Sequence, residues 1–262
     1  MSPPPAAVLA PPADDPVRLS GIRIDPVSTG GFLRRIESFL QSGRSNVVHF
    51  CPADPLVTAS RDDGYRAVLN AGSLNVPDGM SVVWALRLLG HHASRLTGTD
   101  ALHLACAWGV DRELRHYFLG GTPEVLHRLL GRLVLAQPEI RIAGAESPPF
   151  GTIGELDVES SAERIREARA DLVWVGLGAP KQELFAERLR VLNCAPVILC
   201  VGAAFDFASG TKKRAPAWMQ RAGLEWLHRL AAEPSRLWRR YLLGNPRFIA
   251  CVLADRLREG SR

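Results

Sequence analysis

The alternation of short β-branched runs with amphipathic stretches constrains the fold of this chain more than any other feature of its sequence. The β-branched runs predict strands at residues 21–24, 46–50, 116–119, 140–143, 172–175 and 196–201. Helical patterns lie between them, at residues 31–41, 55–69, 79–89, 99–108, 123–135, 160–168 and 180–192. This order predicts an α/β fold with a Rossmann-like, mostly parallel sheet and helices on both faces.

In sheets of this kind, ligands bind beyond the carboxyl ends of the strands, where loops lead into helices. The loops that we expect to carry the chemistry are residues 51–55, 77–79, 120–123, 176–182 and 202–211. Strand signals stop after Lys213, and helical patterns follow at residues 216–232, 234–243 and 246–257. Each pattern opens at a proline, and Gly244 separates the last two.

The length and composition predict one large α/β domain with additions at both ends. The chain has 262 residues, of which 47% are hydrophobic, which is enough to bury a full core. Six prolines in the first sixteen residues predict a disordered tail over residues 1–17. The α/β catalytic domain is then expected at residues 18–211 and a basic helical appendage at residues 212–262.

Positive charge is concentrated near the carboxyl end. Residues 212–258 contain eleven Lys or Arg against three acids, a local balance of +8, so the rest of the chain carries −3 of the net +5. This distribution predicts an anionic partner at one end of the molecule: phospholipid, lipid diphosphate or nucleic acid. Leucines and Trp238 alternate with arginines over residues 237–243, a pattern typical of a helix lying in a membrane interface, whereas Trp218 and Trp226 are as readily explained by docking on the core.

Other compositional features narrow the class of protein. The five cysteines are scattered and form no Cys-x-x-Cys pair, so the sequence indicates neither a disulfide framework nor a zinc knuckle, and a reducing cytoplasm fits best. No apolar run approaches the ~20 residues that span a bilayer. The amino terminus lacks the basic and apolar segments of a secretory signal.

Asp78 is the first candidate for a chemical role. It stands in Val76-Pro77-Asp78-Gly79, directly before a helical run. A carboxylate here suits proton acceptance from an attacking hydroxyl, and it equally suits an N-cap that accepts backbone N–H bonds.

Gly120, Gly121 and Thr122 follow a predicted strand and precede a helix. Paired glycines let backbone amides approach a phosphate, and the helix N-terminus favours negative charge, but an ordinary tight turn explains the same residues. Asp206, beyond the last core strand, is either a turn-forming acid or a ligand to substrate hydroxyls.

The stretch around Gly178 begins as Gly-x-Gly, but Lys181 stands where a dinucleotide fingerprint has its third glycine. Lys181 and Gln182 are expected to project toward a diphosphate or a sugar hydroxyl, with a solvated helix start as the alternative for Lys181. Arg95, a lone arginine before a turn, is by itself most simply a surface charge.

Three islands of the sequence, taken together, resemble the WecG/TagA/CpsF family of glycosyltransferases, and the resemblance extends from about residue 47 to residue 248. They are Val76-Pro77-Asp78-Gly79, Gly176-Leu177-Gly178-Ala179-Pro180-Lys181-Gln182-Glu183, and Arg214-Ala215-Pro216 with Trp218-Met219-Gln220-Arg221 and Gly223-Leu224-Glu225-Trp226. The resemblance implies an inverting transfer of a hexose or N-acetylhexosamine, such as N-acetylmannosamine, from a UDP-sugar to a polyprenyl-diphosphate-linked saccharide, in the synthesis of a surface polysaccharide or cell-wall polymer.

The resemblance also implies roles for individual residues. Asp78 matches the catalytic base of the family, Gln182 a glutamine that contacts substrate, and Arg95 an arginine near phosphate. The Gly120 to Thr122 loop matches part of the nucleotide-sugar pocket. Arg214 and Arg221 match arginines that close over the active site and neutralise the departing diphosphate.

No Asp-x-Asp signature for a divalent metal occurs in the sequence, so we expect the implied reaction to be independent of metal and to need no cofactor. The expected partners are a UDP-sugar, a lipid-diphosphate-linked acceptor and the cytoplasmic leaflet of the plasma membrane, on whose inner face the protein would be peripheral; no nucleic acid is expected. One departure from the family is that no asparagine follows the strand at residues 46–50, where the sequence reads His49-Phe50-Cys51-Pro52-Ala53-Asp54.

Two alternatives of different classes stay open from the sequence. One is a Rossmann-type NAD(P) oxidoreductase that uses Gly176 and Gly178. The other is a membrane or nucleic-acid adaptor without catalytic activity, which the missing asparagine makes credible.

Overall fold

The computed structural model describes residues 15–259, so the predicted Pro-rich tail at residues 1–17 lies almost entirely outside the described residues. The first elements are two short antiparallel strands, β1 (Val17–Leu19) and β2 (Ile22–Ile24). They form a separate two-stranded sheet. Of these two strands, the sequence pattern predicted only β2.

The main sheet has six strands that are all parallel, which confirms the predicted α/β class. The strands are β3 (Asn46–Cys51), β4 (Leu74–Pro77), β5 (Arg115–Gly120), β6 (Arg141–Glu146), β7 (Leu172–Gly176) and β8 (Val197–Cys200). Their spatial order is β4-β3-β8-β7-β5-β6. The pattern missed β4, because its four residues include Asn75 and end at a proline, a combination that looks like a turn.

Helices cover both faces of this sheet, as predicted. They are α1 (Thr29–Leu40), α2 (Ala53–Ala59), α3 (Asp63–Ala71), α4 (Met80–Leu88), α5 (Gly98–Val110), α6 (Pro123–Ala136), α7 (Val158–Glu167), α8 (Lys181–Val191) and α9 (Ala204–Ala208). The single helix predicted at residues 55–69 is wrong: α2 ends before Ser60, and the Asp62 carboxylate caps α3 by accepting from the Tyr65 N–H at 2.9 Å.

Strand side chains alternate between two apolar layers, as period-two geometry requires. Trp174 and Leu199 face the layer that contains Phe32 and Phe205, from α1 and α9. Val173, the residue directly before Trp174, faces the opposite layer, which contains side chains of helices α7 and α8. The largest of these side chains have no exposed surface, so the sheet is buried on both faces.

The appendage consists of α10 (Ala217–Arg221), α11 (Glu225–Ala232), α12 (Pro234–Trp238), a π-helical turn (Arg239–Leu243) and α13 (Gly244–Glu259). The predicted break at Gly244 is wrong, because the helix runs without interruption from Pro234. Pro246 lacks an N–H and crowds the carbonyl four residues earlier, and the wider π turn directly before α13 accommodates it. The pattern at residues 216–232 is divided into α10 and α11 around Gly223.

Helix α13 returns to the start of the α/β body. Phe248 and Val252 are buried in a layer that also contains Leu56 of α2 and Leu19 of β1. The Asp255 carboxylate accepts from the backbone N–H of Ser20 at 2.6 Å. Within residues 15–259, no helix combines the length and the apolar character that crossing a bilayer requires.

Candidate active site

A cavity of about 970 Å³ lies beyond the carboxyl ends of the parallel strands, where the topology predicts a ligand site. All five predicted loops contribute to its lining, through Pro52, Asp78, Thr122, Gln182 and Gly202 among others. Helices α10 to α13 of the appendage line the opposite side. The cavity is therefore a cleft between the α/β body and the appendage.

Asp78 directly follows the carboxyl end of strand β4 and lines this cavity. Its backbone N–H donates to the Cys51 carbonyl at 3.2 Å, which ties the turn to the neighbouring strand. The N-cap of α4 is Gly79, and no side chain caps that helix, so the capping alternative for Asp78 is wrong. The Asp78 carboxylate instead accepts from the backbone N–H of Gly98, at the start of α5.

The close approach of α5 to Asp78 depends on Gly98 having no side chain. A Cβ at this position would lie 2.9 Å from the Val201 carbonyl oxygen and 3.1 Å from the Val201 Cα. Those are backbone atoms of the segment after β8, so they have little room to move. Glycine thus lets the helix N-terminus pack against the end of the sheet, beside the carboxylate.

The surroundings of Asp78 raise its pKa to about 6, from an ordinary value of 3.8. Burial is the main cause, and the negative charge of Glu225 adds to it. The Gly98 N–H and the positive charges of Arg95 and Arg229 oppose this rise. Asp78 is therefore ionised at neutral pH and a stronger base than an ordinary aspartate, which suits it to accept a proton.

Arg95 lines the cavity from the loop before α5 and is only 18% exposed. Its Nη1 donates to Glu225 Oε2 at 3.1 Å, and its Nη2 donates to Gln220 Oε1 at 3.2 Å. Both acceptors belong to the appendage. The surface-charge alternative for Arg95 is therefore wrong, because the guanidinium group joins the body to the appendage inside the cleft.

Arg214 is also half-buried, but it is not among the residues that line the cavity. Its Nη1 lies 2.6 Å from Asp100 Oδ1, and its Nε lies 3.6 Å from Glu225 Oε1. Arg214 and Arg95 thus share Glu225 as an ion-pair partner, but only Arg95 lines the cavity. Arg221, at the end of α10, is exposed and does not line the cavity either.

The Gly120 to Thr122 loop is a tight turn that also faces the cavity. Gly120 has φ of +124°, and a Cβ there would lie 2.5 Å from the Gly176 carbonyl oxygen, so only glycine fits. Gly121 and Thr122 line the cavity, and the Thr122 hydroxyl caps α6 by accepting from the Val125 N–H at 3.2 Å. The turn that the sequence predicts is confirmed, and a role in phosphate binding stays a prediction.

Gln182 is buried at the start of α8, and its carboxamide makes two contacts. The Gly178 N–H donates to Gln182 Oε1 at 3.2 Å, and Gln182 Nε2 donates to Glu183 Oε1 at 2.8 Å. These contacts orient the carboxamide at the cavity wall. Lys181 Nζ donates to the Gly151 carbonyl at 3.2 Å, so this lysine holds the loop after β6 over the cavity.

Asp206 lines the cavity from α9, and Lys212 Nζ lies 3.0 Å from its carboxylate. The same ammonium group lies 3.1 Å from Glu233, at the end of α11. Asp206 thus has a cationic partner from the segment that leads into the appendage. Its backbone carbonyl also accepts from Lys212 N–H, which closes the turn after α9.

The sequence prediction missed several cavity residues. Glu225, Trp226 and Arg229 of α11 line the cavity, and the Trp226 ring lies 5.9 Å from that of Tyr241. Glu225 and Trp226 belong to the Gly-Leu-Glu-Trp island, which carried the resemblance but was given no role in ligand binding, and Arg229 lies just beyond that island. Trp84 of α4 also lines the cavity, and no pattern marked it as more than part of an amphipathic helix.

The cavity has an apolar arm between α4 and α13. Its lining residues there are Met80, Trp84, Leu88, Phe248, Ile249, Val252 and Leu253. Four of them keep substantial exposed surface, namely Trp84, Leu88, Ile249 and Leu253. The arm therefore continues from the neighbourhood of Asp78 to an apolar outer surface.

Two further predictions concern membrane contact by residues 237–243 and chemistry without a metal ion. Leu237, at the start of the expected membrane-contacting stretch, is buried and lines the cavity, whereas Leu242 and Leu243 are exposed. In the part of the chain that the structure covers, no three His, Cys, Asp or Glu side chains are grouped to hold a metal ion. Chemistry without a metal stays a prediction.

Comparison with known proteins identifies the family. The family model described as "Glycosyl transferase WecG/TagA/CpsF family" matches residues 17–262. An "N-acetylglucosaminyldiphosphoundecaprenol N-acetyl-beta-D-mannosaminyltransferase" of Bacillus spizizenii is 34% identical over 196 residues, which cover 74% of each chain. The protein of the same name from Bacillus subtilis is 33% identical over 198 residues, 75% of each chain.

These matches decide between the three classes of function that the sequence left open, in favour of the transferase and against the oxidoreductase and the adaptor. The family model covers both the α/β body and the appendage. The chain therefore belongs to the WecG/TagA/CpsF family and is a glycosyltransferase.

Proposed function

We propose that this chain transfers an N-acetylhexosamine of the N-acetylmannosamine type from a UDP-sugar to a polyprenyl-diphosphate-linked N-acetylglucosamine, with inversion at the anomeric carbon. The product would enter a cell-wall polymer or another surface polysaccharide. The printed names of the two Bacillus relatives support both the sugar and the acceptor. The family assignment supports the reaction class.

The proposal rests mainly on the environment and the pKa of Asp78. It is a half-buried carboxylate that lines the cleft, has a pKa of about 6, and leaves the neighbouring helix uncapped. Such a group is ionised at neutral pH and able to take up a proton. It therefore supplies what a sugar transfer to a hydroxyl group needs.

In the proposed step, Asp78 takes the proton of the acceptor hydroxyl as the hydroxyl oxygen attacks the anomeric carbon of the donor. A new carbon–oxygen bond forms on one face of the sugar. The bond to the diphosphate breaks on the other face, and UDP leaves with the electron pair. Attack opposite the leaving group inverts the anomeric configuration.

Positive charge at the cleft supports the departure of the diphosphate. Arg95 and Arg229 line the cavity, and Arg214 lies behind Arg95. Guanidinium groups pair with phosphate oxygens in bidentate fashion and stabilise charge as it develops. We assign Gly121, Thr122, Gly178, Lys181, Gln182 and Asp206, which all line the cavity, to donor binding. Arg221 and Gly120 lie outside the lining, so any role of theirs acts through their neighbours.

The apolar arm between α4 and α13 supports a lipid-linked acceptor. Trp84, Leu88 and Ile249 present apolar surface to a cavity whose other end carries Asp78 and Arg95. A diphosphate with an attached isoprenoid chain has the same polarity, charged at one end and apolar at the other. Burial of the first isoprene units in the arm would contribute about 25 cal/mol per Å² of covered apolar surface.

The test is a transfer assay with the full chain, a synthetic N-acetylglucosaminyl-diphosphate-lipid and a series of UDP-sugars. We expect UDP release and a lipid product one N-acetylhexosamine heavier, with UDP-N-acetylmannosamine as the best donor. Asp78→Asn should lower kcat by about 10²-fold to 10⁴-fold with little change in UDP affinity, whereas Asp63→Asn, at an exposed site on α3, should leave both unchanged.

Failure of every UDP-sugar and acceptor pair to release UDP would overturn the proposal, as would near-normal turnover of Asp78→Asn. Repeating the assay with a chelator tests the metal-independent part separately. Turnover that falls with chelator and returns with Mg²⁺ would contradict it.

We also propose that the chain binds the inner leaflet of the plasma membrane through the appendage, because the acceptor is a membrane lipid. Exposed apolar residues follow one another along its carboxyl half, namely Trp238, Leu242, Leu243, Ile249, Leu253 and Leu257. Arginines intersperse them and favour anionic headgroups.

A flotation assay with vesicles that contain anionic lipid tests this assignment. Ile249→Ser with Leu253→Ser should reduce flotation several-fold. Leu135→Ser with Val191→Ser is the matched control, because it removes leucine and valine side chains that are even more exposed, but that belong to the α/β body. Equal flotation of both double variants, or binding to nucleic acid in preference to vesicles, would contradict membrane docking by the appendage.

A further inference from the structure

Glu225 is the carboxylate that the appendage places in the cleft. It is the first residue of α11, its side chain is 23% exposed, and it lines the cavity. Its Oε2 accepts from Arg95 Nη1 at 3.1 Å, and its Oε1 lies 3.6 Å from Arg214 Nε. One side chain of the appendage thus contacts the two arginines that the proposed reaction requires near the diphosphate.

The position of Arg95 depends on the appendage more than on the body. Gln220 of α10 accepts from the second terminal nitrogen of Arg95, and Gln220 is itself held by a 2.7 Å bond from its amide to the Ala215 carbonyl. Within the body, Asp100 is the ion-pair partner of Arg95, at the longer distance of 3.9 Å. Glu225 and Gln220 therefore determine where the guanidinium group lies.

Charged and titratable groups face Asp78 from several elements. They are Cys51 from β3, Arg95 from the loop before α5, Arg214 from the segment before α10, and Glu225 and Arg229 from α11. Among them, Glu225 carries the negative charge that works with burial to raise the pKa of Asp78, against Arg95 and Arg229. Without that charge, the arginines would favour the ionised carboxylate and weaken it as a base.

We propose that Glu225 is a positioning residue of the transfer reaction: when the appendage is docked, its carboxylate holds Arg95 beside Asp78 and balances the positive charge around the base. The inference rests on the proposed function and deepens it. If Glu225 has this role, Asp78, which belongs to the body, reaches its full activity as a base only when the appendage is docked. Glu225 acts through Asp78 and Arg95, so it needs no contact with substrate.

The experiment measures the titration of Asp78 directly, by carboxyl ¹³C NMR on the full chain labelled at aspartate, with Asp78→Asn to assign the signal. The same preparations give kcat/KM as a function of pH. The variants are Glu225→Gln, Glu225→Asp and Glu233→Gln. Glu233 is the matched control, since it also belongs to the appendage and pairs with Lys212 and Arg236, but does not line the cavity.

We expect Glu225→Gln to lower the titration midpoint of Asp78 by about one pH unit, from about 6. The acid limb of the kcat/KM profile should move by the same amount, and kcat on the plateau should fall about threefold because the base is weaker. Glu225→Asp keeps the charge and should retain most of the wild-type midpoint. Glu233→Gln should change neither quantity.

An unmoved midpoint in Glu225→Gln, with or without a loss of turnover, would overturn the inference and leave Glu225 as a structural contact. A shift of equal size in Glu233→Gln would also overturn it, because any acid of the appendage would then have the same effect. Absence of turnover in the wild type would overturn the proposed function instead. The NMR titration needs no substrate, so it separates these two failures.

Discussion

The α/β body and the appendage are held together by different kinds of interaction. In the body, the side chains of Trp174, Phe185 and Phe205 are at most 1% exposed, and each lies in a continuous apolar layer. In the appendage, helices α10 and α11 contain no buried residue. Contacts such as Arg95 to Glu225, at 3.1 Å, attach them to the body.

This difference in interactions implies that the body contributes most of the stability of the fold, whereas the appendage contributes mainly charged groups to the cleft. Apolar burial contributes about 25 cal/mol per Å² and is insensitive to salt, so the body provides the stable scaffold and places Asp78 on it. Half-buried ion pairs contribute far less and are readily broken. The appendage thus adds the charged side chains of Glu225 and Arg229 to the cleft through a weak attachment. Its apolar anchors, Leu237, Phe248 and Val252, lie further along the chain.

We expect the largest effect on the free energy of unfolding when one buried phenylalanine is replaced in the body and one in the appendage. Phe185→Ala, in the body, should lower the free energy of unfolding by about 3–5 kcal/mol, because it opens a cavity in a fully buried layer. Phe248→Ala, in α13, should lower it much less and raise amide exchange in the appendage alone. Urea denaturation and hydrogen exchange measure the two effects. Equal global losses would show that body and appendage unfold as one unit.

The second prediction concerns the pH dependence of stability. The folded-state pKa of Asp78 lies above its ordinary value of 3.8, so the folded chain binds this proton more tightly than the unfolded chain does. Stability is therefore lost as the pH rises from about 4 to above 6. Asp78→Asn stays neutral and should be more stable than the wild type by about 3 kcal/mol at pH 8, with the gain vanishing near pH 4.

Urea denaturation of both proteins across this pH range measures the difference. Asp63→Asn, at an exposed position, serves as the control and should show no such trend. A gain from Asp78→Asn that is the same at every pH would contradict the raised pKa and weaken the case for this residue as the base.

The third prediction compares an ion pair in the cleft with one on the body surface. Arg214→Gln removes the half-buried contact with Asp100 at 2.6 Å and should lower the free energy of unfolding by about 1–2 kcal/mol. Arg141→Gln removes an exposed contact with Glu113 and should cost less than about 1 kcal/mol. Denaturation of both variants provides the comparison. A larger loss from Arg141→Gln would mean that the cleft pair does not attach the appendage.

The smallest effect is a response to salt. Raising NaCl from 0.05 to 0.5 M should weaken each exposed or half-buried pair by a few tenths of a kcal/mol. Amide exchange in α11 should therefore accelerate, while exchange in α8, which lies on the buried sheet, stays constant. Hydrogen exchange at both salt concentrations measures this. Equal acceleration in the two helices would contradict the polar attachment of the appendage.

Several errors of the sequence prediction have local physical causes. Strand β4 was missed because Asn75 and Pro77 disrupt its apolar run, although Asn75 is buried and donates to the Leu69 carbonyl at 2.9 Å. The helix across Pro246 was missed because proline normally ends a helix, and only the observed π turn removes the clash. In both cases a tertiary or backbone adjustment overrode a sound local rule.

The site was predicted in part. Loop positions follow from the order of the strands, and Asp78, Gln182 and the Gly121 turn line the cavity as expected. Glu225 and Trp84 were missed, because no local pattern distinguishes an acid or a tryptophan that faces a cleft from one that faces solvent. Arg214 and Arg221 carried equally clear motifs, yet neither lines the cavity: Arg214 is half-buried beside it, and Arg221 is exposed.

The amino-acid sequence by itself determined the α/β class, the edge of the sheet where ligands bind, and the family, because periodicity and short motifs are properties of neighbouring residues. Only the tertiary structure decided that Asp78 leaves helix α4 uncapped and has a pKa above that of an ordinary aspartate. Its proton affinity depends on burial and on Glu225, which lies 147 residues further along the chain. Electrostatic interactions act through space, so their balance at the cleft exists only once the body and the appendage are in contact.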